Sequence, residues 1–305
     1  MKNQEKLEKL ITELKLEALR NEPMTKHTSF KIGGNADFFV KVRNLSKLKN
    51  FLRGLKALNI PYFIIGNGSN LLVSDKGIRG VVIKLLGDFQ KIKLIDETTI
   101  ECGAGVHLIK LCRFAQQNAL SGLEFAYGIP ATVGGAVFMN AGAYDGEMKD
   151  VLISTENLTP ADEQVTLAAS ELDLSYRHSR YSSTDDIILS ARLKLQKGDA
   201  EQIKEKMDGF LSRRKEKQPL HYPNAGSVFK RPPGNYAGTL IQTCGLKGKK
   251  IGGAKVSTKH AGFIVNTGYA TCRDVLTLIN HIKATVLEQA DVALECEVEM
   301  IGDFT

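Results

Sequence analysis

The stretch GIPATVGGAVFMNAGAYDG, residues 128 to 146, decides the fold class of this chain. Five glycines are interleaved there with small or apolar residues, where a surface loop would carry charge. Glycine lets the backbone adopt positive φ and approach a ligand closely, because no Cβ stands in the way. The composition therefore predicts backbone that is packed against a flat, buried cofactor.

A second glycine-rich loop, Gly66-Asn67-Gly68-Ser69-Asn70, follows the apolar run from Tyr62 to Ile65. Two such loops, each beside a predicted strand or helix, favour a long phosphorylated ligand such as a dinucleotide, since successive N–H groups can point at phosphate oxygens. A tight turn that binds nothing is the alternative interpretation of either loop.

The length and the net charge of the chain limit the number of domains and the classes of ligand that it could bind. A chain of 305 residues is long enough for two or three domains. The formal charge of +7 and the pI of about 9.0 suit anionic small molecules or nucleic acid. The cations are spread along the chain, no Trp is present and no nucleic-acid motif occurs, so we expect no nucleic-acid partner.

Five cysteines, an odd number without Cys-x-x-Cys spacing, argue against a disulfide framework and against a zinc site. They fit buried thiols in a reducing compartment. Charged residues interrupt the N-terminal sequence, so no signal peptide is expected, and no segment approaches the length of a membrane span. These features predict a cytoplasmic protein without membrane insertion.

Hydrophobic periodicity predicts alternating helices and strands. An amphipathic helix is expected at the N-terminus, ending before Pro23. A Thr271-x-x-Asp274 capping box predicts the start of a late helix. Near the end, Leu294, Cys296, Val298 and Met300 alternate with three glutamates, which predicts a strand. The other predicted elements are strands at 36–42, 62–65, 80–85, 187–195 and 262–265, a hairpin around Asp96 and Glu97, helices from Ser46, at 106–118, at 198–217 and ending near Gly245, and a loop at 222–233.

Familiar catalytic motifs are missing from the sequence. Gly103-Ala104-Gly105 begins like a dinucleotide fingerprint but lacks the third glycine, and there is no P-loop, no His-Glu-x-x-His and no Gly-x-Ser-x-Gly. Ser227 lies between Gly226 and Val228 in a predicted loop. Without further information such a hydroxyl would be interpreted as a group that stabilises a turn.

Five motifs in one order nevertheless resemble a known family. They are GNGSNLLV from Gly66, GIPATVGGAVFMNAGAY from Gly128, Tyr176-Arg177-x-Ser179, NAGSVFK from Asn224 and LECEVEMIG from Leu294. They span nearly the whole chain and resemble UDP-N-acetylenolpyruvoylglucosamine reductase (MurB), in particular the shorter subclass without an extra tyrosine-bearing loop.

The resemblance implies an α+β fold of the FAD-binding PCMH or vanillyl-alcohol-oxidase type. Two FAD-binding subdomains, at residues 1–86 and 87–197, would hold FAD without a covalent bond, and a third αβ domain at 198–305 would bind the substrate. In such an enzyme NADPH reduces FAD, and the enolpyruvyl group of UDP-N-acetylglucosamine enolpyruvate then receives hydride at C3. The product is UDP-N-acetylmuramate, a peptidoglycan precursor. The sequence leaves the oligomeric state open.

The resemblance also implies roles for single residues. Arg177 would lie near the substrate carboxylate, Ser227 would donate the proton to C2, and Glu297 would help to hold the enolic intermediate. Substrate contacts are implied for Tyr176, Lys217 and Lys230. Cofactor contacts are implied for Gly66, Asn67, Gly68, Ser69, Asn70, Gly128, Ile129, Pro130, Ala131, Thr132, Gly134, Gly135, Asn140, Gly142 and Ala143, and no metal ligand is implied.

Four positions depart from the usual pattern of the family. Cys296 and Glu299 stand where proline and arginine are usual around the glutamate. Arg231 replaces a common asparagine, and Asp145 replaces a frequent glycine. None of these changes removes a side chain with an implied catalytic role.

Simpler interpretations of the same residues remain open from the sequence. Arg177 could form a surface ion pair, and Glu297 or the two lysines could be solvated. Another flavin-dependent oxidase or dehydrogenase of the same fold is an alternative, although neither glycine loop contains the His or Cys that often tethers FAD in such oxidases. A non-catalytic nucleotide-binding protein is the other alternative.

Overall fold

The computed structural model describes residues 2–304, which divide into two compact units. Of the described residues, 2–19, 39–67 and 81–213 form the first unit, and 20–38, 68–80 and 214–304 form the second. Each unit is thus assembled from segments far apart in sequence. The three-domain division at residues 86 and 197 stays a prediction.

The α-helices account for most of the predicted helical segments. They are α1 (Lys2–Glu13), α2 (Leu45–Ala57), α3 (Leu108–Gln117), α4 (Val133–Phe138), α5 (Ala200–Lys217), α6 (Ala237–Thr243) and α7 (Cys272–Ala290). The predicted capping box at Thr271 is confirmed, because its hydroxyl accepts from Asp274 N while the Asp274 carboxylate accepts from Thr271 N. None of the helices described in 2–304 is long and apolar enough to cross a bilayer.

The strands are mostly short. They are β1 (Glu17–Pro23), β2 (Asn35–Val42), β3 (Tyr62–Ile65), β4 (Leu71–Val73), β5 (Ile78–Leu85), β6 (Ile92–Leu94), β7 (Thr99–Gly103), β8 (Leu120–Ser121), β9 (Gly142–Ala143), β10 (Gly146–Glu147), β11 (Leu152–Leu158), β12 (Gln164–Ala168), β13 (Ile187–Lys194), β14 (Gln196–Lys197), β15 (Asn224–Ser227), β16 (Lys250–Ile251), β17 (Ala254–Val256), β18 (Phe263–Asn266) and β19 (Glu299–Ile301).

An antiparallel sheet with the strand order β12-β11-β13-β7-β6 forms the centre of the first unit. The predicted hairpin around Asp96 is confirmed, since Ile92 pairs with Cys102 and Leu94 with Ile100. Helix α4 packs on β13 and β7. This packing places the second glycine-rich stretch directly against the sheet.

A second sheet has the order β1-β2-β5-β3, in which β3 runs parallel to β5. Ile65 pairs with Lys84 at the carboxyl end of β3. The first glycine loop begins at the next residue, Gly66, at the end of a parallel strand. In open α/β sheets, the carboxyl ends of strands are where ligands usually bind.

The second unit has a sheet with the order β15-β18-β17-β16. Helices α6 and α7 contribute to its apolar core, in which Phe30, Leu72, Phe229 and Ile282 are buried. Strand β19 pairs in parallel with β4, Glu299 lying opposite Leu71. Residues 299–301 therefore pair with residues that immediately follow the first glycine loop.

Four predictions of secondary structure were wrong in detail. The N-terminal helix ends at Glu13, and β1 occupies the residues before Pro23. The segment 128–146, expected to be a loop, contains α4, and the loop expected at 222–233 contains β15. The closing strand, expected to alternate from Leu294 to Met300, begins only at Glu299, and Met300 is exposed. For β15 and β19 the pairing partners, β18 and β4, are distant in sequence, and local patterns do not reveal such partners.

Candidate active site

Gly66 and Asn67 of the first glycine-rich loop lie beside the second loop in the first unit. The Asn67 side-chain amide donates to the carbonyl of Pro130 at 2.7 Å. A Cβ on Gly66 would lie 2.5 Å from Oγ1 of Thr132, a separation that real Cβ atoms do not show. A side chain at residue 66 would therefore force the buried Thr132 side chain of the second loop to move.

The backbone of α4 leaves an open face beside this contact. Gly134 packs inward, because a Cβ there would lie 2.9 Å from Cβ of Ala104. Gly135 is exposed, and a Cβ there would meet only Thr132 Oγ1, at 3.6 Å. Bare backbone next to an apolar wall fits the flat ring system of a flavin, so the residues present are compatible with FAD.

Asn140 organises the second loop from within. Its side chain is completely buried and donates to the Glu147 carboxylate at 2.7 Å and to the Ser175 carbonyl at 2.9 Å. Its Oδ1 accepts from Lys149 N at 2.9 Å. The amide is thus engaged with protein groups, and a direct contact of this side chain with the cofactor stays a prediction.

Left-handed backbone is concentrated around this loop. The φ angle is positive at four residues, with values that residues other than glycine rarely adopt: Asn140 (40°), Tyr144 (51°), Asp145 (63°) and Arg177 (54°). Such strain of about 1–3 kcal/mol per residue clusters at functional sites. The conformation of Asp145 also gives a physical reason for the frequent glycine at this position.

Arg177 is half-buried in the turn between Ser175 and His178. Its guanidinium donates to the carbonyl of Gly142 at 3.1 Å and lies 4.9 Å from the ring centre of Tyr176. The predicted catalytic cation is therefore positioned by the predicted cofactor loop. Tyr176 is itself exposed and lies beside this guanidinium.

Tyr144 is a residue whose role the sequence did not reveal. Its ring stacks on Phe210 of α5 with 4.4 Å between centroids, and its hydroxyl donates to the Phe210 carbonyl at 3.0 Å. The guanidinium of Arg213 lies 5.1 Å from the Tyr144 ring centre. The stack fixes the loop to α5. An aromatic residue within a glycine-rich segment was the one feature of the sequence that could have indicated this contact.

Ser227 ends β15 in the second unit. It pairs with Phe263 of β18, and its hydroxyl donates to the Phe229 carbonyl at 3.1 Å. Gly226 has φ +80°, and a Cβ there would meet no atom within 4 Å. The half-buried hydroxyl therefore lies next to open space.

Glu297 lies on the segment that pairs with the residues after Ser227. Its N–H donates to the Val228 carbonyl at 2.8 Å, and Lys230 N donates to the Glu295 carbonyl at 2.9 Å. Between these hydrogen bonds, the backbones of Cys296 and Phe229 form an antiparallel β-bridge. The structure thus brings the backbones of the predicted proton donor and the predicted glutamate together.

Burial distinguishes the three glutamates near the C-terminus. Glu297 is half-buried, whereas Glu295 and Glu299 are exposed. Glu295 forms an ion pair with Lys230 at 3.5 Å. Only Glu297 is withdrawn from solvent, which agrees with its selection by the family motif.

The first glycine loop continues into the second unit and reaches the segment that contains Glu297. Gly68, Ser69 and Asn70 belong to that unit. The Asn70 side chain donates to the Glu297 carbonyl at 2.9 Å, and Asn70 O accepts from Glu299 N at 2.9 Å. Asn70 therefore supports the backbone of the predicted glutamate, a contact that the sequence did not predict.

Two further positions belong to the second unit. Lys217 is exposed at the last residue of α5. Arg231, one of the departures from the family pattern, lies over the ring of Tyr236 at 4.5 Å. The predicted residues are thus divided between units, with Tyr176, Arg177, Asn67 and the 128–143 loop in the first and Lys217, Ser227, Lys230 and Glu297 in the second.

His260 was not identified from the sequence. The Gly262 N–H donates to its Nδ1 at 3.2 Å, and Phe263 meets the imidazole edge-on with 5.0 Å between centroids. Burial, assisted by the charge of Lys247, lowers the pKa of His260 below its usual value. The imidazole is therefore neutral at physiological pH.

Two family models match the chain, one over the region of the glycine loops and the other over the region of the later motifs. Residues 36–168 match a model described as FAD binding domain. Residues 218–301 match a model described as UDP-N-acetylenolpyruvoylglucosamine reductase, C-terminal domain. The first matched range contains both glycine loops, and the second contains Ser227, Lys230 and Glu297.

Whole-length relatives carry the same name. The UDP-N-acetylenolpyruvoylglucosamine reductase of Caldanaerobacter subterraneus is 49% identical over 299 residues, covering 98% of each chain. That of Alkaliphilus oremlandii is 50% identical over 285 residues, covering 93% of each. The crystal structure of the Thermus caldophilus enzyme (MurB) superposes with a TM-score of 0.80 at 38% identity, covering 93% of this chain and 98% of the other. The fold is accordingly the α+β, FAD-binding fold that the sequence predicted, and the chain belongs to the UDP-N-acetylenolpyruvoylglucosamine reductase family.

Proposed function

We propose that this chain uses NADPH and FAD to reduce the enolpyruvyl group of UDP-N-acetylglucosamine enolpyruvate to the lactyl group of UDP-N-acetylmuramate. The observation that carries the proposal is the pairing of the Ser227 and Glu297 segments through the 2.8 Å hydrogen bond from Glu297 N to Val228 O. A proton donor and a carboxylate on adjacent segments suit the reduction of an alkene that must also be protonated.

FAD would rest against the two loops, with Gly66, Thr132 and Gly135 presenting backbone to it. The other predicted contacts to FAD, from Asn67 to Asn70 and from Gly128 to Ala143, are part of the same proposal. Bound FAD would supply two-electron chemistry between a nicotinamide and an activated alkene. The protein has to hold the substrate, stabilise its charge and deliver a proton.

Arg177 stabilises charge on the substrate carboxylate. Hydride at C3 leaves carbanion character on C2, which spreads into the neighbouring carboxylate as an enolate. A guanidinium that the Gly142 carbonyl orients at 3.1 Å offers directed, permanently charged donors to that group. Such preorganised charge stabilises a transition state without reorganisation of solvent.

Ser227 delivers the proton to C2. Its hydroxyl is oriented by the Phe229 carbonyl at 3.1 Å, and the neighbouring Gly226 leaves space for a reactant. Proton transfer to a carbanionic carbon depends on proximity more than on the acidity of the donor. With hydride at C3 and a proton at C2, the double bond becomes a single bond.

Glu297 holds the enolic group through hydrogen bonds, and Asn70 and Val228 fix its backbone. Tyr176, Lys217 and Lys230 bind the remainder of the substrate, with lysines suited to phosphate or carboxylate oxygens. Residues 198–305 act as the substrate-binding domain in this proposal, and 1–86 and 87–197 as the two FAD-binding subdomains.

We place the reaction in the cytoplasm, where NADPH is available. All five cysteines are free thiols, three of them buried, as expected for a reducing compartment.

The test is optical and anaerobic. Purified protein should carry FAD, NADPH should bleach its visible absorbance, and UDP-N-acetylglucosamine enolpyruvate should restore the oxidised spectrum with one UDP-N-acetylmuramate formed per NADPH consumed. A protein that binds no FAD, or whose reduced flavin is reoxidised only by oxygen, would contradict the proposal. The second result would favour an oxidase of the same fold.

A further inference from the structure

The imidazole of His260 and the hydroxyl of Ser227 both lie beside Gly262 in the second unit. A Cβ placed on Gly262 would lie 3.1 Å from Cε1 of His260 and 3.4 Å from Oγ of Ser227. Gly262 has no side chain, so nothing from this residue separates the two groups. His260 has no role in the function proposed above.

The imidazole is held in one position. Its Nδ1 accepts from Gly262 N–H, and Ser257 Oγ accepts from His260 N at 3.3 Å, which fixes the turn. A Cβ on Gly238 of α6 would lie 3.2 Å from Cε1, so α6 closes one side of the ring. Phe263 packs against the ring edge-on. These contacts fix the ring by packing as well as by hydrogen bonds.

The hydrogen bonds also determine which nitrogen carries the proton. Because Nδ1 accepts from a backbone N–H, the proton of the neutral imidazole resides on Nε2. Within residues 2–304, the Nε2–H donates to no protein group. His260 is half-buried, so this donor is oriented and partly shielded from water.

We propose that the Nε2–H of His260 donates a hydrogen bond to an anionic oxygen of the substrate, beside the Ser227 hydroxyl. This inference rests on the proposed function, because the substrate supplies anionic oxygens in its enolpyruvyl carboxylate and in its diphosphate. The charge of Lys247, which acts on His260, favours an anion at this position. The neutral imidazole adds direction, since a single N–H points along one line.

The experiment is calorimetric titration of the FAD-loaded enzyme with two nucleotides. UDP-N-acetylmuramate carries both a carboxylate and a diphosphate, whereas UDP-N-acetylglucosamine carries only the diphosphate. His260→Leu removes the donor, and His260→Gln retains an N–H near the position of Nε2. His281→Leu changes a half-buried histidine of α7 in the same unit and is the matched control.

We expect His260→Leu to weaken the binding of UDP-N-acetylmuramate about tenfold, the effect of losing one hydrogen bond to a charged group. His260→Gln should stay within about threefold of the unaltered enzyme, and His281→Leu should bind normally. Loss confined to UDP-N-acetylmuramate would assign the hydrogen bond to the carboxylate. Equal loss for both nucleotides would assign it to the diphosphate.

Two results would overturn the inference. One is normal binding of both nucleotides by His260→Leu, and the other is equal weakening by Leu and Gln, which would indicate packing alone. FAD content and thermal unfolding of each variant verify that it is folded, and His260→Gln tests the donor even if His260→Leu fails to fold.

Reoxidation of the unaltered reduced enzyme by UDP-N-acetylglucosamine enolpyruvate separates this inference from the proposed function. Without reoxidation the function itself is wrong, whatever the binding data. With reoxidation and unchanged binding by His260→Leu, only the role of His260 is wrong.

Discussion

The side-chain amide of Asn70 donates to the backbone carbonyl of Glu297 at 2.9 Å, although 227 residues separate them in the sequence. One end of a predicted cofactor loop thereby fixes the backbone of a predicted catalytic residue. The backbone of Asn70 adds a second contact by accepting from Glu299 N. The position of Glu297 therefore depends on the conformation of the loop.

Asn70→Ala should slow reoxidation of the reduced flavin by substrate more than it slows reduction by NADPH. The Glu297 carbonyl loses its donor at a cost of about 1–3 kcal/mol, and the glutamate becomes less well positioned. Stopped-flow absorbance measures both half-reactions. Asn118→Ala, which removes a similar hydrogen bond to the Phe114 carbonyl, is the control. Normal reoxidation in Asn70→Ala would refute the coupling.

Ser227→Ala should leave flavin reduction by NADPH within about twofold and slow reoxidation by substrate roughly 10²- to 10⁴-fold, the usual contribution of a general acid. The measurement is again stopped-flow, under anaerobic conditions. Ser183→Ala is matched, because the Ser183 hydroxyl also donates to a backbone carbonyl at 3.1 Å but is exposed. Equal losses in the two half-reactions would argue against proton donation by Ser227.

Gly66→Ala should weaken FAD binding, because the new methyl group would lie 2.5 Å from Thr132 Oγ1 and displace the buried hydroxyl that caps α4. Overpacking of this kind typically costs about 1–3 kcal/mol. Gly209→Ala in α5 is the contrasting variant, since a Cβ there meets no atom within 4 Å, and it should gain up to about 1 kcal/mol. FAD absorbance after gel filtration measures the FAD content of each variant, and thermal unfolding measures its stability. Full FAD occupancy in Gly66→Ala would contradict this packing.

Two of the five thiols should react with Ellman's reagent in the native protein, and all five after denaturation. Burial raises the pKa of Cys112 and of Cys272 to about 12 and also raises that of Cys102, so their reactive thiolate is scarce at pH 8. Cys244 and Cys296 are only partly buried. Rapid reaction of a third thiol would indicate that a buried segment opens.

His260 should make stability depend on pH. Its pKa is lowered in the folded protein, chiefly by burial and further by Lys247, so the unfolded chain binds the proton more tightly. Stability is therefore lost as pH falls below the ordinary pKa of about 6.5. Thermal unfolding between pH 5.5 and 7.5 should show a smaller acid destabilisation for His260→Gln than for the unaltered protein. Parallel curves would show that the imidazole is not buried as described.

Local patterns predicted the elements whose signals are local. The Thr271 capping box and strand β3 lie where the sequence placed them, because caps and short apolar runs act over a few residues. The closing strand was predicted too long, since Cys296 forms only an isolated bridge with Phe229 and the ladder with β4 begins at Glu299. Pairing partners so distant in sequence have no local signature.

The candidate site shows the same limit. The ordered motifs pointed to Ser227 and Glu297, and the structure adds that their segments pair. The left-handed conformation of Arg177 and the neighbourhood of His260 and Ser227 could not be predicted, because both depend on the tertiary fold. Their roles in catalysis and binding stay proposals.

The pairing of β19 with β4 has a consequence for how the protein is made. A ribosome makes Leu71–Val73 long before it makes Glu299–Ile301, the strand that pairs with it. The first unit has its long run from 81 to 213 available well before that point. That run can therefore begin to fold during translation before the segment that carries Glu297 has been made, and the pair of β4 and β19 forms only after both strands have left the ribosome.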